Sequence, residues 1–334
     1  MKQLRIEYLD LVKLFTIFLV IMGHVIAMMV NGYAVGGRMY ALIYSFHMPL
    51  FMMLSGYFIS NKTLSKSFPD FLLTKARQLL LPAVTCTAIC LLYLLLVREH
   101  VDVRGEIIGN SWFLKTLFVF YVLFYLIKKI PMNDWVLLIV SCGLLFVIPH
   151  ATTLQVNLLF PYFWGGYLLR KYQVLEKVSF KWKYAVFFVA AFAGCYSLQR
   201  YLGVPNYIGI NIDSLQSQWH FILLRYVVAF SGCLATITLL SVLYNYCSKR
   251  GSMIREIAKY GQWTLGVYVL QTILVINIFP DTLAWYVESE WLLDMVIVPL
   301  LSLAFLILCL ILIKWISKNK TLGLIFFGGQ YKTL

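Results

Sequence analysis

The sequence predicts an all-α integral membrane protein of about ten transmembrane helices, with its N- and C-termini cytoplasmic. Three observations carry that expectation. Hydrophobic residues fill 61% of the 334 positions and charged residues only 13%. A water-soluble core cannot absorb that balance, whereas a bilayer accepts it as solvent. The apolar residues gather into runs, most of them near the ~20 residues needed to cross a bilayer. Most of the 28 lysines and arginines fall in alternate connections, the pattern expected of cytoplasmic loops.

The ten runs lie at 9–30, 39–59, 79–97, 112–127, 135–149, 154–169, 184–201, 219–246, 264–279 and 291–315. The first is long and lacks a small-residue cleavage site, so it reads as a retained helix and not as a signal peptide. The second holds Pro49 near its middle, and a proline frees carbonyls of the preceding turn. The third follows the basic residues Lys75 and Arg77. The fifth and sixth are short and joined by Pro149-His150, as a tight hairpin or a partly re-entrant pair; the count stays even in either case. With the N-terminus inside, the outer loops keep only Arg38, Arg98, Arg104 and Arg200, together with the acidic Asp281, Glu288, Glu290 and Asp294. Lys115 and Arg225 fall within predicted helices. The net charge of +14 is thus a topology signal, and the expected partner is membrane lipid, with no nucleic acid. No repeat, linker or soluble segment divides the chain, which reads as one transmembrane domain over 1–334. The seven cysteines are scattered singly or in pairs through the apolar runs without a zinc pattern, so they read as small buried hydrophobes and no metal is expected.

Ionisable groups at membrane depth are expensive and mark candidate sites. The first run carries Lys13 and His24, eleven residues apart, which places them on one helical face about 16 Å apart along the axis. On this topology Lys13 is near the cytoplasmic side and His24 beyond the midplane. A histidine so placed is either a general base oriented by a neighbour or a donor to a backbone carbonyl in a helix bundle. Asp10, three residues before Lys13, can pair with it. In the second run, His47 precedes Pro49, and Ser55-Gly56 is a small pair suited to close helix contact. Lys75 and Arg77, before the third run, form a basic cluster where an anionic phosphate would settle, or serve as ordinary positive-inside charge. Trp112 reads alone as an interfacial anchor. Lys115, one turn on, lies near the outer mouth, where it can meet an anionic acceptor.

These motifs together resemble the acyltransferase-3 family of multi-pass membrane O-acyltransferases, in its sugar O-acetylase-like branch. The matching stretches are Tyr8-Leu9-Asp10 with Lys13, Gly23-His24, Phe46-His47-Met48-Pro49-Leu50-Phe51, Ser55-Gly56-Tyr57, Lys75-Ala76-Arg77 and Trp112-Phe113-Leu114. A weaker match covers Gly261 to Gln271, where Gln271 stands at a position that is often histidine in the family. The resemblance implies that His24 is catalytic and that Lys13 assists binding of the acyl donor. It also implies that Lys75 and Arg77 contact that donor, although lysine replaces a favoured arginine and loses its bidentate fork.

The expected activity is O-acyl transfer across the membrane. Acyl-CoA, taken as acetyl-CoA, is the co-substrate, bound through Lys13, Lys75 and Arg77. Its pantetheine arm runs outward along the first helix. His24 acts as general base or transient acyl carrier, with Asp10 or His47 assisting. Trp112, Lys115, Tyr268 and Gln271 are expected on the side of the acceptor, a hydroxyl of a cell-surface glycan or its lipid-linked precursor, at the inner (cytoplasmic) membrane. The alternative is a multi-pass transporter or flippase of a glycan or small anionic solute. Buried charges and a proline-broken helix suit that reading, but no inverted repeat is visible.

Overall fold

The computed structural model describes residues 6–29, 37–148, 154–206, 208–280 and 290–331. Among them the regular elements are all helical, with no strand. Apart from the single-turn helices Asn61–Leu64, Val174–Val178 and Glu290–Leu292, they are in chain order α1 (Glu7–Met29), α2 (Arg38–Tyr44) and α3 (His47–Tyr57), then α4 (Phe68–Val97) and α5 (Val103–Gly109). Next come α6 (Trp112–Ile127), α7 (Asp134–Val147), α8 (Val156–Lys171) and α9 (Trp182–Tyr201). The last four are α10 (Ile212–Ser248), α11 (Met253–Ile278), α12 (Leu293–Ile316) and α13 (Lys320–Phe327).

Among the described residues, five helices are long and apolar enough to cross a bilayer: α1, α4, α10, α11 and α12. A sixth arises if α5 and α6, bent by 55°, form one broken span. The other expected spans are shorter or interrupted. The second run splits into α2 and α3 around Ser45-Phe46, and the fifth forms a helix of 14 residues, about 21 Å long and short of the ~30 Å hydrocarbon core. Pro149-His150 lies outside the described residues, as do Lys2, Arg5, Asp281, Glu288 and Lys332 of the topology reading.

Three prolines explain much of the local architecture. Each removes the donor for the carbonyl four residues earlier, and in lipid that carbonyl needs another partner. Pro49 orphans the Ser45 carbonyl, which accepts from Arg225 Nη1 at 2.6 Å. Pro161, inside α8, orphans the Asn157 carbonyl, which accepts from the Tyr226 hydroxyl at 2.9 Å. Pro82, inside α4, orphans the Gln78 carbonyl, which accepts from Gln330 Nε2 at 3.2 Å. A distant polar side chain supplies the missing donor in all three cases.

The chain forms two compact units. The first comprises Met1–Thr16, Tyr44–Lys66 and Phe120–Gly261. Its centre is the contact of α3 with α8, where two glycines let backbone meet backbone. A Cβ on Gly56 would strike the Phe163 carbonyl, and one on Gly166 would strike that of Met53. Trp164, Phe160, Phe163, Phe120 and Phe124 bury their rings beside this contact. Arg225 of α10 is 2% exposed and ties the α2–α3 break to the 206 loop. It donates to the carbonyls of Ser45, Tyr44 (3.2 Å) and Asn206 (2.7 Å). Asp134, at the start of α7, is flanked by Lys128 and by Lys171 at 2.5 Å.

The second unit comprises Ile17–Ile43, Ser67–Val119 and Gln262–Leu334. Three helices here contain a wide π-type turn: Ala76–Leu80 in α4, Thr272–Ile278 in α11 and Leu293–Ile297 at the start of α12. Such turns interrupt the regular ladder and recur at functional sites. Helix α13 lies on α4. Thr85 Oγ1 donates to the Ile325 carbonyl at 3.0 Å, and Gly328, at φ +63°, sits against the Arg77 backbone, where a side chain has no room.

Candidate active site

In the first unit the N-terminal turns of α1 hold Asp10 and Lys13. Asp10 is 5% exposed and its Oδ1 accepts from Lys13 Nζ at 3.1 Å. The same ammonium stands 3.9 Å from the centre of the Phe58 ring, close enough for cation–π attraction. The two motifs singled out in the sequence therefore meet: the charged opening of the first helix and the end of the second run. Gly261 makes the fit possible, because a Cβ there would strike the Asp10 carbonyl. The turns are anchored by Tyr8, hydroxyl to hydroxyl with Ser179 at 3.0 Å, and by a hydrogen bond from Tyr244 to Glu7. His47 opens α3, buried, with its ring edge-on to Tyr44 at 4.7 Å.

The second unit holds His24, half-buried on the C-terminal part of α1. Its Nδ1 lies 2.7 Å from Oε1 of Gln271, a residue with no exposed surface. The Gln271 amide nitrogen donates to the Tyr268 carbonyl at 3.2 Å and to Thr272 Oγ1 at 3.0 Å. The Thr272 hydroxyl itself donates to the Tyr268 carbonyl at 2.9 Å. Gln271 closes the α-helical part of α11, just before its π-type turn. Beyond it, Asn277 donates to the Thr272 carbonyl at 2.8 Å, and Asn110 donates to Glu106 Oε2 at 2.6 Å. Tyr268 packs its ring 5.3 Å from Phe113, and Trp112 stands edge-on to Phe113.

The remaining expected residues are placed as follows. Lys115 spends its three protons on the carbonyls of Ile107 (2.5 Å), Asn110 (2.6 Å) and Ile108 (3.4 Å). It thereby closes the C-terminal end of α5, as a lysine at a helix end does. Lys75 is half-buried and Arg77 exposed, at the π-type turn of α4. Among the described residues no group of three His, Cys, Asp or Glu side chains could hold a metal.

The i,i+3 spacing pairs Asp10 with Lys13, whereas Gln271, the partner of His24, is 247 residues away. Arg225 is legible in the sequence only as a charge in an apolar run. The arithmetic of proline minus four identifies the carbonyl that Arg225 serves.

The family described as "Acyltransferase domain", the acyltransferase-3 family, matches residues 6–314. The nodulation protein NolL of Mesorhizobium japonicum is 31% identical over 171 residues, 48% of this chain and 45% of that protein. The NolL protein of Sinorhizobium fredii is 29% identical over 174 residues, 48% of this chain and 47% of its own. The chain thus spans about half the length of the curated relatives it matches. No solved structure matches it significantly.

Proposed function

This chain belongs to the acyltransferase-3 family and is a multi-pass membrane protein; from that premise we propose that it is an O-acetyltransferase that modifies a glycan. Acetyl-CoA is the donor, and the acceptor is a hydroxyl of a surface glycan or its lipid-linked precursor. The protein sits in the cell's inner membrane with both termini cytoplasmic. Lys13, held by Asp10 and Phe58, binds donor phosphate, and Lys75 and Arg77 keep the donor-contacting role that the family resemblance implies for them. Trp112 and Tyr268 flank the acceptor, and His47 assists from the opening of α3.

The observation that carries this reading is the 2.7 Å contact of His24 Nδ1 with Gln271. It holds an imidazole in one orientation within an apolar helix, which general-base work requires. In the reaction His24 takes the proton of the acceptor hydroxyl as its oxygen attacks the thioester carbonyl. The tetrahedral intermediate collapses, the carbon–sulfur bond breaks, and the departing thiolate recovers the proton from His24. One ester and one CoA thiol result, with no redox change.

The test is incubation of purified, lipid-reconstituted protein with radiolabelled acetyl-CoA and glycan acceptors. Label appearing as base-labile ester on the glycan supports the reading. CoA binding without ester formation on any glycan contradicts the proposed acceptor class, and absence of CoA binding contradicts the proposed donor.

A further inference from the structure

We infer that Gln271 is the positioning residue that fixes the tautomer of His24, presenting Nε2 as the unprotonated, reacting nitrogen. This rests on the reading of His24 as general base and adds to it the identity of its orienting partner and of the atom that accepts the proton.

The carboxamide of Gln271 has two N–H donors and one acceptor oxygen. Its nitrogen lies 3.2 Å from the Tyr268 carbonyl, which can only accept. Reversing the amide would set two carbonyl oxygens against each other at that distance in a buried place, a repulsive arrangement that also loses a hydrogen bond. The Thr272 hydroxyl donates its single proton to the same Tyr268 carbonyl, so it meets the second amide proton as an acceptor. Both protons of Gln271 are thus committed, and Oε1 is the atom that faces His24.

An oxygen acceptor 2.7 Å from Nδ1 requires a proton on Nδ1. A neutral imidazole protonated there carries its lone pair on Nε2. The π-type turn Thr272–Ile278 begins one residue later, and the Thr272 backbone N–H also bonds the Tyr268 carbonyl, fixing both in the last α-helical turn. With both amide protons spent and its oxygen on His24, Gln271 acts on an acceptor only through the histidine. It also differs from a carboxylate partner: a neutral amide orients the ring without adding a negative charge in lipid.

The experiment compares Gln271→Leu and Gln271→Glu with the wild type in lipid nanodiscs, by acyl-transfer kinetics and by 15N spectroscopy of the His24 ring. The wild-type spectrum is expected to show a protonated Nδ1 and an unprotonated Nε2. In Gln271→Leu the ring is expected to lose that preference, and kcat to fall on the order of 10²-fold with KM little changed, within the roughly 10²–10⁴-fold a general base contributes. Gln271→Glu, as the neutral carboxylic acid, keeps an acceptor oxygen toward Nδ1 while its hydroxyl donates to the Tyr268 carbonyl in place of the amide nitrogen, so the proton is expected to stay on Nδ1 and kcat to stay within about tenfold of wild type. A wild-type spectrum with Nε2 protonated overturns the inference even if neither variant folds. So does a Gln271→Leu enzyme with wild-type kcat. His24→Ala separates the two levels. If it still transfers the acyl group, the general-base reading falls. If it is inactive while Gln271→Leu is fully active, only the role of Gln271 falls.

Discussion

Replacing glycine by alanine should have opposite signs at two sets of positions in the first unit. Gly56 and Gly166 lie in the α3–α8 contact, and an added Cβ at either meets a backbone carbonyl of the facing helix. A carbonyl in a helix cannot rotate away, so the helices must part by on the order of 1 Å, which forfeits a quarter to a half of each dispersion contact along the seam. Overpacking of this kind costs ~1–3 kcal/mol, and an obstruction made of backbone belongs at the upper end. Gly143 in α7 and Gly194 in α9 have nothing within 4 Å of an added Cβ. There alanine removes only glycine's entropic cost and should stabilise by ~0.5–1 kcal/mol. At about 2 °C per kcal/mol for a chain of this size, Gly56→Ala and Gly166→Ala should each lower Tm by roughly 4–6 °C, while Gly143→Ala and Gly194→Ala raise it by roughly 1–2 °C. Tryptophan-fluorescence melting of detergent-purified protein measures this directly. Shifts of the same sign in both sets would refute the backbone-contact account of α3 and α8.

Three further outcomes follow. Arg225→Met removes three hydrogen bonds from a buried guanidinium, to the carbonyls of Tyr44, Ser45 and Asn206; at ~1.5–3 kcal/mol for a hydrogen bond to a charged group it should abolish most monodisperse protein in size-exclusion chromatography, and wild-type yield and Tm would contradict it. Lys115→Met should lower Tm by a few degrees, because the ammonium holds the end of α5; an unchanged Tm would contradict that role, and the acceptor KM of the same variant tests the acceptor-side role expected of Lys115. Lys13→Ala should raise the acetyl-CoA KM about 10- to 100-fold with kcat nearly intact, the value of one charge-assisted phosphate contact of ~1.5–3 kcal/mol, whereas Arg77→Ala, exposed to solvent, should have a smaller effect that fades with added salt.

The helical membrane class was legible because hydropathy reports how much of a helix lipid can cover. It could not report neighbours. The charged opening of α1 was readable to the level of the Asp10–Lys13 pair, since i,i+3 spacing places partners on one face. The break near Pro49 was readable from chemistry, but Arg225, which fills it, comes from 180 residues away. Span number was less legible, because a run such as 39–59 keeps its apolar character while its backbone divides into α2 and α3. The π-type turns left no hydropathy signal either. The donor to the Gln78 carbonyl beside Pro82, Gln330, comes from 252 residues away. At the candidate site, Lys13 and His24 stood out as costs in lipid, whereas Gln271 stood out as a departure from the family and its contact with His24 could not be read.

The central claim is that His24 does the proton transfer, and its most direct test measures two quantities on one variant. His24→Ala in lipid nanodiscs should bind acetyl-CoA with the wild-type Kd, since the donor-gripping residues are untouched. Its rate of acetyl-ester formation should fall by roughly 10²–10⁴-fold. Wild-type ester formation by that variant, with CoA binding intact, would contradict the account.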